Sequence, residues 1–135
     1  MKCNVTKLFE FESSHRLENY DGPCARWHGH SYKLAVTIQG PINEETGMVA
    51  DFGRLKQLVN ENVVYPCDHR NLNQTMPFVF SMMGRTTAEN MITAFWCALD
   101  HEISEKLEGC CLMELSLHET RDNCVSLTRE MVYSD

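Results

Sequence analysis

Three histidines and a cysteine in the first quarter of the chain have the types and spacing of a metal-dependent catalytic site. His28 and His30 flank a glycine in the segment CARWHGH, and in extended backbone residues two apart project from one face. Two imidazoles would stand side by side there, with no side chain between them to obstruct a metal ion. His15 ends an earlier extended segment and adds a third nitrogen if the two segments are neighbours. Three histidine ligands with an open fourth position characterise catalytic zinc, whereas structural zinc usually closes its shell with a fourth protein ligand. An isolated H-x-H is weak evidence of metal binding; its placement opposite His15 is what strengthens it.

Cys24 lies four residues before His28. Close to a metal and to Arg26, a positive field would lower its pKa and make the thiolate a base or nucleophile. A fourth zinc ligand and an inert buried thiol are the open alternatives. Asp68 and His69 are adjacent, and a carboxylate that fixes an imidazole is the usual support for proton transfer, although loop solvation accounts for the pair equally well. Glu119 continues the odd-numbered stripe of Met113, Leu115 and Leu117, so a regular strand aims its carboxylate at the apolar side, where it needs a partner. The paired N–H donors of a guanine-like or pterin ring would be such a partner. A strand ending at His118 would instead release Glu119 to solvent.

These side chains need elements to hold them. Val5 to His15 puts Phe9, Phe11, Ser13 and His15 on one side of a strand, with Glu10 and Glu12 on the other. Ser31 to Gln39 alternates likewise, with Tyr32, Leu34, Val36 and Ile38 sharing a face. The turn sequence GPINEETG leads to Asp51, a cap for a helix bearing Leu55, Leu58, Val59 and Val63 that is expected to stop before Pro66. An irregular stretch from Pro66 to Arg85 includes DHRNLNQ and the apolar PFVFSMM. Thr86 and Glu89 stand at capping-box spacing before a second helix striped by Ile92, Phe95, Trp96, Leu99, Ile103 and Leu107. Two strands, CCLMELSLHE and NCVSLTREM, close the chain. The expectation is an α+β fold of order ββααββ, a four-stranded antiparallel sheet with two helices on one face. Its two open edges favour an oligomer; a monomer with edges blunted by Glu10, Glu12 and Lys33 is the alternative.

The 135 residues suffice for one domain, and 43% apolar with 23% charged residues is an ordinary globular composition. A net charge of -7 argues against a nucleic-acid partner, since backbone binding is mostly lysine and arginine neutralising phosphate. No apolar run approaches the ~18 residues of a membrane span, and the N-terminus lacks the features of a signal peptide. A cytoplasmic protein without membrane contact is expected. Seven cysteines without a C-x-x-C pair are read mostly as small core residues, Cys97 in particular.

The segments FEFESSHRL, CARWHGHSYKL, TGMVADFGRLK, CDHRNLN, TTAEN and LHET, in this order, resemble the 6-pyruvoyltetrahydropterin synthase superfamily over nearly the whole chain, and more closely its bacterial 6-carboxytetrahydropterin synthase branch. The resemblance implies one such domain over 1–135, a tunnelling (T-) fold, and zinc held by His15, His28 and His30. It implies Cys24, Asp68 and His69 as catalytic residues, with the Asp-His pair reaching across a subunit boundary. Glu119 would anchor the pterin, with Thr86 and Thr87 lining the same pocket. A homohexamer built as a dimer of trimers is implied. The implied reaction is a lyase step converting 7,8-dihydroneopterin triphosphate to 6-carboxy-5,6,7,8-tetrahydropterin, acetaldehyde and triphosphate, on the route to queuosine and other 7-deazaguanines. The C-x-x-x-HGH spacing favours that branch, and a pyruvoyl-forming synthase and a structural zinc protein are the alternatives. Lys33 and Arg70 are triphosphate candidates by charge alone. Two residues depart from the family pattern: Thr86 stands where proline is usual, and Cys67 where leucine is common.

Overall fold

Alternation with period two makes the first two strands. In the computed structural model, which describes residues 1–75 and 85–134, β1 (Lys2–His15) buries Phe9, Phe11, Ser13 and His15 and turns Glu10 and Glu12 outward. β2 (His28–Pro41) buries Tyr32, Leu34, Val36 and Ile38. The strands pair antiparallel along their whole length, in a register that sets His15 opposite His28 and Ser13 opposite His30.

Asp51 caps α1 (Phe52–Val59), its carboxylate accepting from the Gly53 N–H. The helical run does not stop at Pro66. It widens into a π-helical turn, Asn60–Val64, and continues as α2 (Tyr65–Cys67). The Tyr65 N–H reaches back five residues to the Asn60 carbonyl, and this wider turn accommodates a ring that would collide with a carbonyl of a tight α-turn. β3 (Arg70–Asn71) and α3 (Leu72–Thr75) follow. The PFVFSMM segment lies outside the described residues. α4 (Ala88–Lys106) starts one residue later than the capping-box spacing suggests, because Thr87 is the cap and accepts from the Asn90 N–H. β4 (Cys111–His118) and β5 (Cys124–Thr128) complete the sheet. The Thr128 hydroxyl caps α5 (Arg129–Tyr133), so the last part of NCVSLTREM is helix rather than strand.

The expected ββααββ architecture is therefore corrected. Among the described residues the sheet has five strands in the order β3-β1-β2-β4-β5, and it is mixed because β3 runs parallel to β1 beside Ser13 and Ser14. The short helices α2, α3 and α5 accompany α1 and α4. A two-residue strand carries no alternation, which is why its pairing is invisible to periodicity.

β4 departs from simple alternation too. Thr37 pairs with Glu114 but Ile38 pairs with Leu112, so Met113 is an extra residue and the strand bulges there. Leu112, Leu115 and Leu117 are the buried residues, and Met113 does not share their face. The helices lay Leu55, Val59, Met91, Phe95, Leu99 and Ile103 against Phe11, Leu34, Val36 and Leu115. Each large side chain so buried contributes about 1.5–3 kcal/mol. The cysteines are less uniform than expected. All seven are free, Cys67 and Cys110 are buried, and Cys97 is exposed on the outer face of α4. No helix among the described residues is long and apolar enough to cross a membrane.

Candidate metal centre

The β1–β2 register brings three imidazoles together at one end of the sheet. Ring centroids lie 4.6 Å apart for His15 and His28, 5.2 Å for His15 and His30, and 4.8 Å for His28 and His30. His15 is buried and the other two are half-buried. Tyr32, stacked on Phe11 with 5.1 Å between centroids, packs 5.5 Å from His30 and forms the floor beneath it.

Hydrogen bonds orient two of the rings. His15 Nδ1 lies 2.9 Å from the Thr86 carbonyl and 3.0 Å from its hydroxyl, and His28 Nδ1 lies 2.7 Å from the Arg26 carbonyl. A carbonyl only accepts, so Nδ1 holds the proton in both rings and Nε2 keeps its lone pair. The Nε2 atoms of His15, His28 and His30 are all buried without a hydrogen-bond partner, and the three ligand atoms lie within 4.8 Å of one another. Leaving a buried polar atom unsatisfied costs about 1–3 kcal/mol. Three buried ring nitrogens so close to one another are what a cation would relieve, and an all-imidazole set suits zinc. The cluster comprises the histidines alone; Cys24 is not a member.

Burial strips water from the charged form of His15 and lowers its pKa from 6.5 to about 4; the Thr86 carbonyl opposes this, while the His28 and His30 charges reinforce it. Burial lowers His30 as well, against the pull of Glu119. The unfolded chain therefore takes up a proton at His15 near pH 6.5 that the folded chain refuses until about pH 4. Stability present above 6.5 is lost as pH falls through this window, and the loss is complete below it. Thermal melts of the metal-free protein between pH 7 and pH 4 are expected to show a steeper loss for the native chain than for His15→Asn. Parallel curves would contradict the assignment.

Glu119 lies one residue beyond the end of β4. Its Oε1 is 3.5 Å from His30 Nε2, and its side chain is 24% exposed. Leu34 pairs with Leu117 and Lys33 with His118, so the next position continues the buried face opposite Tyr32. Glu119, His30, Lys33, His118 and Arg121 line a cavity that opens beside the histidines.

The sequence profile of the 6-pyruvoyl tetrahydropterin synthase family matches residues 4–130. The chain belongs to that family. It is 32% identical to a 6-pyruvoyl tetrahydrobiopterin synthase of Pongo abelii, over 92% of this chain and 90% of that protein. It is 31% identical to a 6-carboxy-5,6,7,8-tetrahydropterin synthase of Rickettsia conorii, over 92% and 96% of the two chains. Its fold superposes on the structure of Caenorhabditis elegans 6-pyruvoyl tetrahydropterin synthase with a TM-score of 0.82 at 24% identity, covering 95% and 96% of the chains.

Other expected site residues of this family member are placed less simply. Asp68 and His69 form a pair, Nδ1 to Oδ1 2.9 Å, at the edge of β1 away from β2. Asp68 Oδ1 also accepts from the Glu12 N–H, and the His69 N–H donates to the Glu12 carbonyl. The Glu12 N–H, and then His69, hold the Asp68 carboxyl below its usual pKa. His69 adopts φ +56° with its side chain 78% exposed, so the pair is built and aimed outward, and it is not part of the histidine cluster. Cys24 sits on a 3-10 turn (Pro23–Ala25), pinned by the Leu17 N–H to its carbonyl at 2.7 Å.

Thr86 and Thr87 hold protein groups. Thr86 is fully buried against His15, and Thr87 caps α4. The departure from proline at Thr86 thus places a hydroxyl directly against His15, one of the three clustered histidines. Cys67 is buried, with its thiol pushed up to about 12 by desolvation. The carbonyls of Arg26 and Thr86 are the orienting groups that residue types could not reveal: one lies two residues before His28, the other seventy-one positions beyond His15.

Proposed function

We propose that this chain is a zinc-dependent lyase acting on 7,8-dihydroneopterin triphosphate, as a single domain over 1–135 in the cytoplasm. The observation that carries the reading is the convergence of three unpartnered Nε2 atoms beside an inward-facing glutamate. His15, His28 and His30 would hold zinc, which as a Lewis acid stabilises negative charge developing on a substrate oxygen. Glu119 binds the amino group and adjacent ring N–H of the pterin and so fixes which side-chain carbon faces the thiol. Cys24 moves a proton at that carbon, and His69, oriented by Asp68, moves a second. Because His69 points out from the β1 edge, it serves a neighbouring subunit's site, which fits a dimer of trimers closed edge to edge. Exclusion of water by the buried histidine face keeps these charges effective.

Two products are in question. The pyruvoyl-forming relatives align over nearly the whole chain, and the comparisons as a set back the pyruvoyl reading better than the carboxy one. The opposing observation lies in the site itself, in the three residues between Cys24 and His28, a spacing similar to the carboxy-forming branch. On that ground we propose 6-carboxy-5,6,7,8-tetrahydropterin, with water consumed and acetaldehyde and triphosphate released, on the route to queuosine. Incubation with dihydroneopterin triphosphate and product identification decides: acetaldehyde with the carboxy product supports this, and 6-pyruvoyltetrahydropterin transfers the assignment to the alternative.

Replacing Cys24 by Ala separates an enzyme from a structural zinc protein. Zinc content is expected to stay at the native level, since three histidines suffice, while turnover falls on the order of 100-fold to 10,000-fold, the usual range for a lost proton-transfer group. Zinc lost together with the thiol would favour the structural alternative.

A further inference from the structure

We propose that Asn73 is a positioning residue for His15, acting through the Arg16 backbone and the Thr86 hydroxyl. β3 pairs with β1 only at Ser13 and Ser14, and the chain then turns into α3. Beyond that point β1 would lose its partner on the edge away from β2, just where His15 must be held. Asn73 supplies it from a side chain. Its Oδ1 accepts from the Arg16 N–H at 3.0 Å, and its Nδ2 donates to the Arg16 carbonyl at 3.0 Å. One amide thus satisfies both backbone groups of the residue that follows His15, as a neighbouring strand would. The Asn71 side chain accepts from the Asn73 N–H at 3.1 Å and fixes the base of this clamp.

The same amide reaches the ring by a second route. The Arg16 N–H can only donate, so Oδ1 of Asn73 is fixed as an acceptor. The Thr86 hydroxyl lies 3.4 Å from that Oδ1 and 3.5 Å from the Arg16 carbonyl, both acceptors. Its proton is therefore turned toward them, and its lone pairs toward His15 Nδ1 at 3.0 Å. The hydroxyl so held joins the Thr86 carbonyl in accepting from Nδ1, and Asn73 thereby steadies the ring whose Nε2 faces the other two histidines. Asn73 is not a member of the histidine cluster.

The inference rests on the zinc reading, and its test separates the two. Zinc affinity is measured by chelator competition on the purified chain and on Asn73→Ala, Asn73→Asp and the remote core variant Ile103→Val. Removing an outer-shell partner of a metal ligand lowers affinity by about 10-fold to 100-fold. Asn73→Ala is expected to fall in that range, with an altered visible spectrum of the cobalt-substituted protein. Asn73→Asp keeps the acceptor and loses the donor, and is expected to recover part of the loss. Ile103→Val should bind zinc as the native chain does. Affinity of Asn73→Ala within twofold of native, or an equal loss in Ile103→Val, overturns the proposal. If Asn73→Ala does not fold, Asn73→Asp carries the test, with native affinity as the overturning result. A native chain that binds no zinc refutes the metal reading instead. Hydrogen exchange of the Arg16 amide in the metal-free protein then still decides: faster exchange in Asn73→Ala than in the native chain and Ile103→Val supports the clamp, and unchanged protection overturns it.

Discussion

Alanine at His28 or His30 is expected to remove zinc and nearly all turnover while leaving the fold intact. Each ring supplies one of three converging nitrogens, and two imidazoles alone leave half of a tetrahedral shell to water. Both side chains are half-buried and stand at the start of β2, before the core positions that begin with Tyr32. Circular dichroism and the melting transition should therefore remain close to native. Lewis-acid stabilisation is worth several kcal/mol, and each 1.36 kcal/mol is tenfold in rate, so the loss of turnover is on the order of 1,000-fold or more. His15→Ala is a poorer choice, because that ring is 1% exposed and its removal opens a cavity beside Thr86. Metal analysis of the purified variants is the decisive measurement. Full zinc occupancy in both would sink the assignment, whatever happened to activity.

The second large effect is expected at Glu119. Its carboxylate occupies the buried-face parity of β4, beside His30 and over Tyr32, where a charged acceptor needs donors. A pterin offers two, at its amino group and the adjacent ring nitrogen. Glu119→Gln preserves shape and one acceptor but places an N–H against an N–H. Truncating one side of a buried charged hydrogen bond costs about 2–5 kcal/mol, or roughly 30-fold to several-thousand-fold in affinity. Calorimetry with a pterin ligand and parallel zinc analysis would read both. Native pterin affinity with zinc retained removes Glu119 from the site. Loss of zinc as well as pterin would place Glu119 among the groups that support His30 rather than the ring.

Much of the site was legible because it depends on alternation within two strands. Phe9, Phe11, Tyr32, Leu34, Val36 and Ile38 fix which face is inside, and the three histidines follow by parity. What sequence could not supply depends on pairing between distant segments. β3 exists because Ser13 and Ser14 have free backbone groups, and Thr86 meets His15 across seventy-one positions. Pro66 misled because its prohibition applies to an α-turn, and the π-turn before it relaxes that. Cys97 misled because a helix between buried neighbours still has an outer side. The Asp68–His69 pair was found as a pair, but its outward aim follows from a positive φ at His69 that nothing in its residue type requires.

The bulge at Met113 has a consequence for how this protein can tolerate change. Before it, β4 answers to the packing of Leu112 against the helices; after it, Leu115 and Leu117 keep step with Leu34 and Val36 and carry Glu119 to His30. The extra residue is a phase shifter between a scaffold half and a working half. Deleting Met113 itself would let the ladder close straight across the gap and leave Leu112, Leu115, Leu117 and Glu119 on their present faces. Deleting His118 would rotate the glutamate to the opposite face while Leu115 and Leu117 keep theirs. The two deletions should thus part company: the first tolerated, and the second producing a folded, metal-loaded protein blind to its ligand.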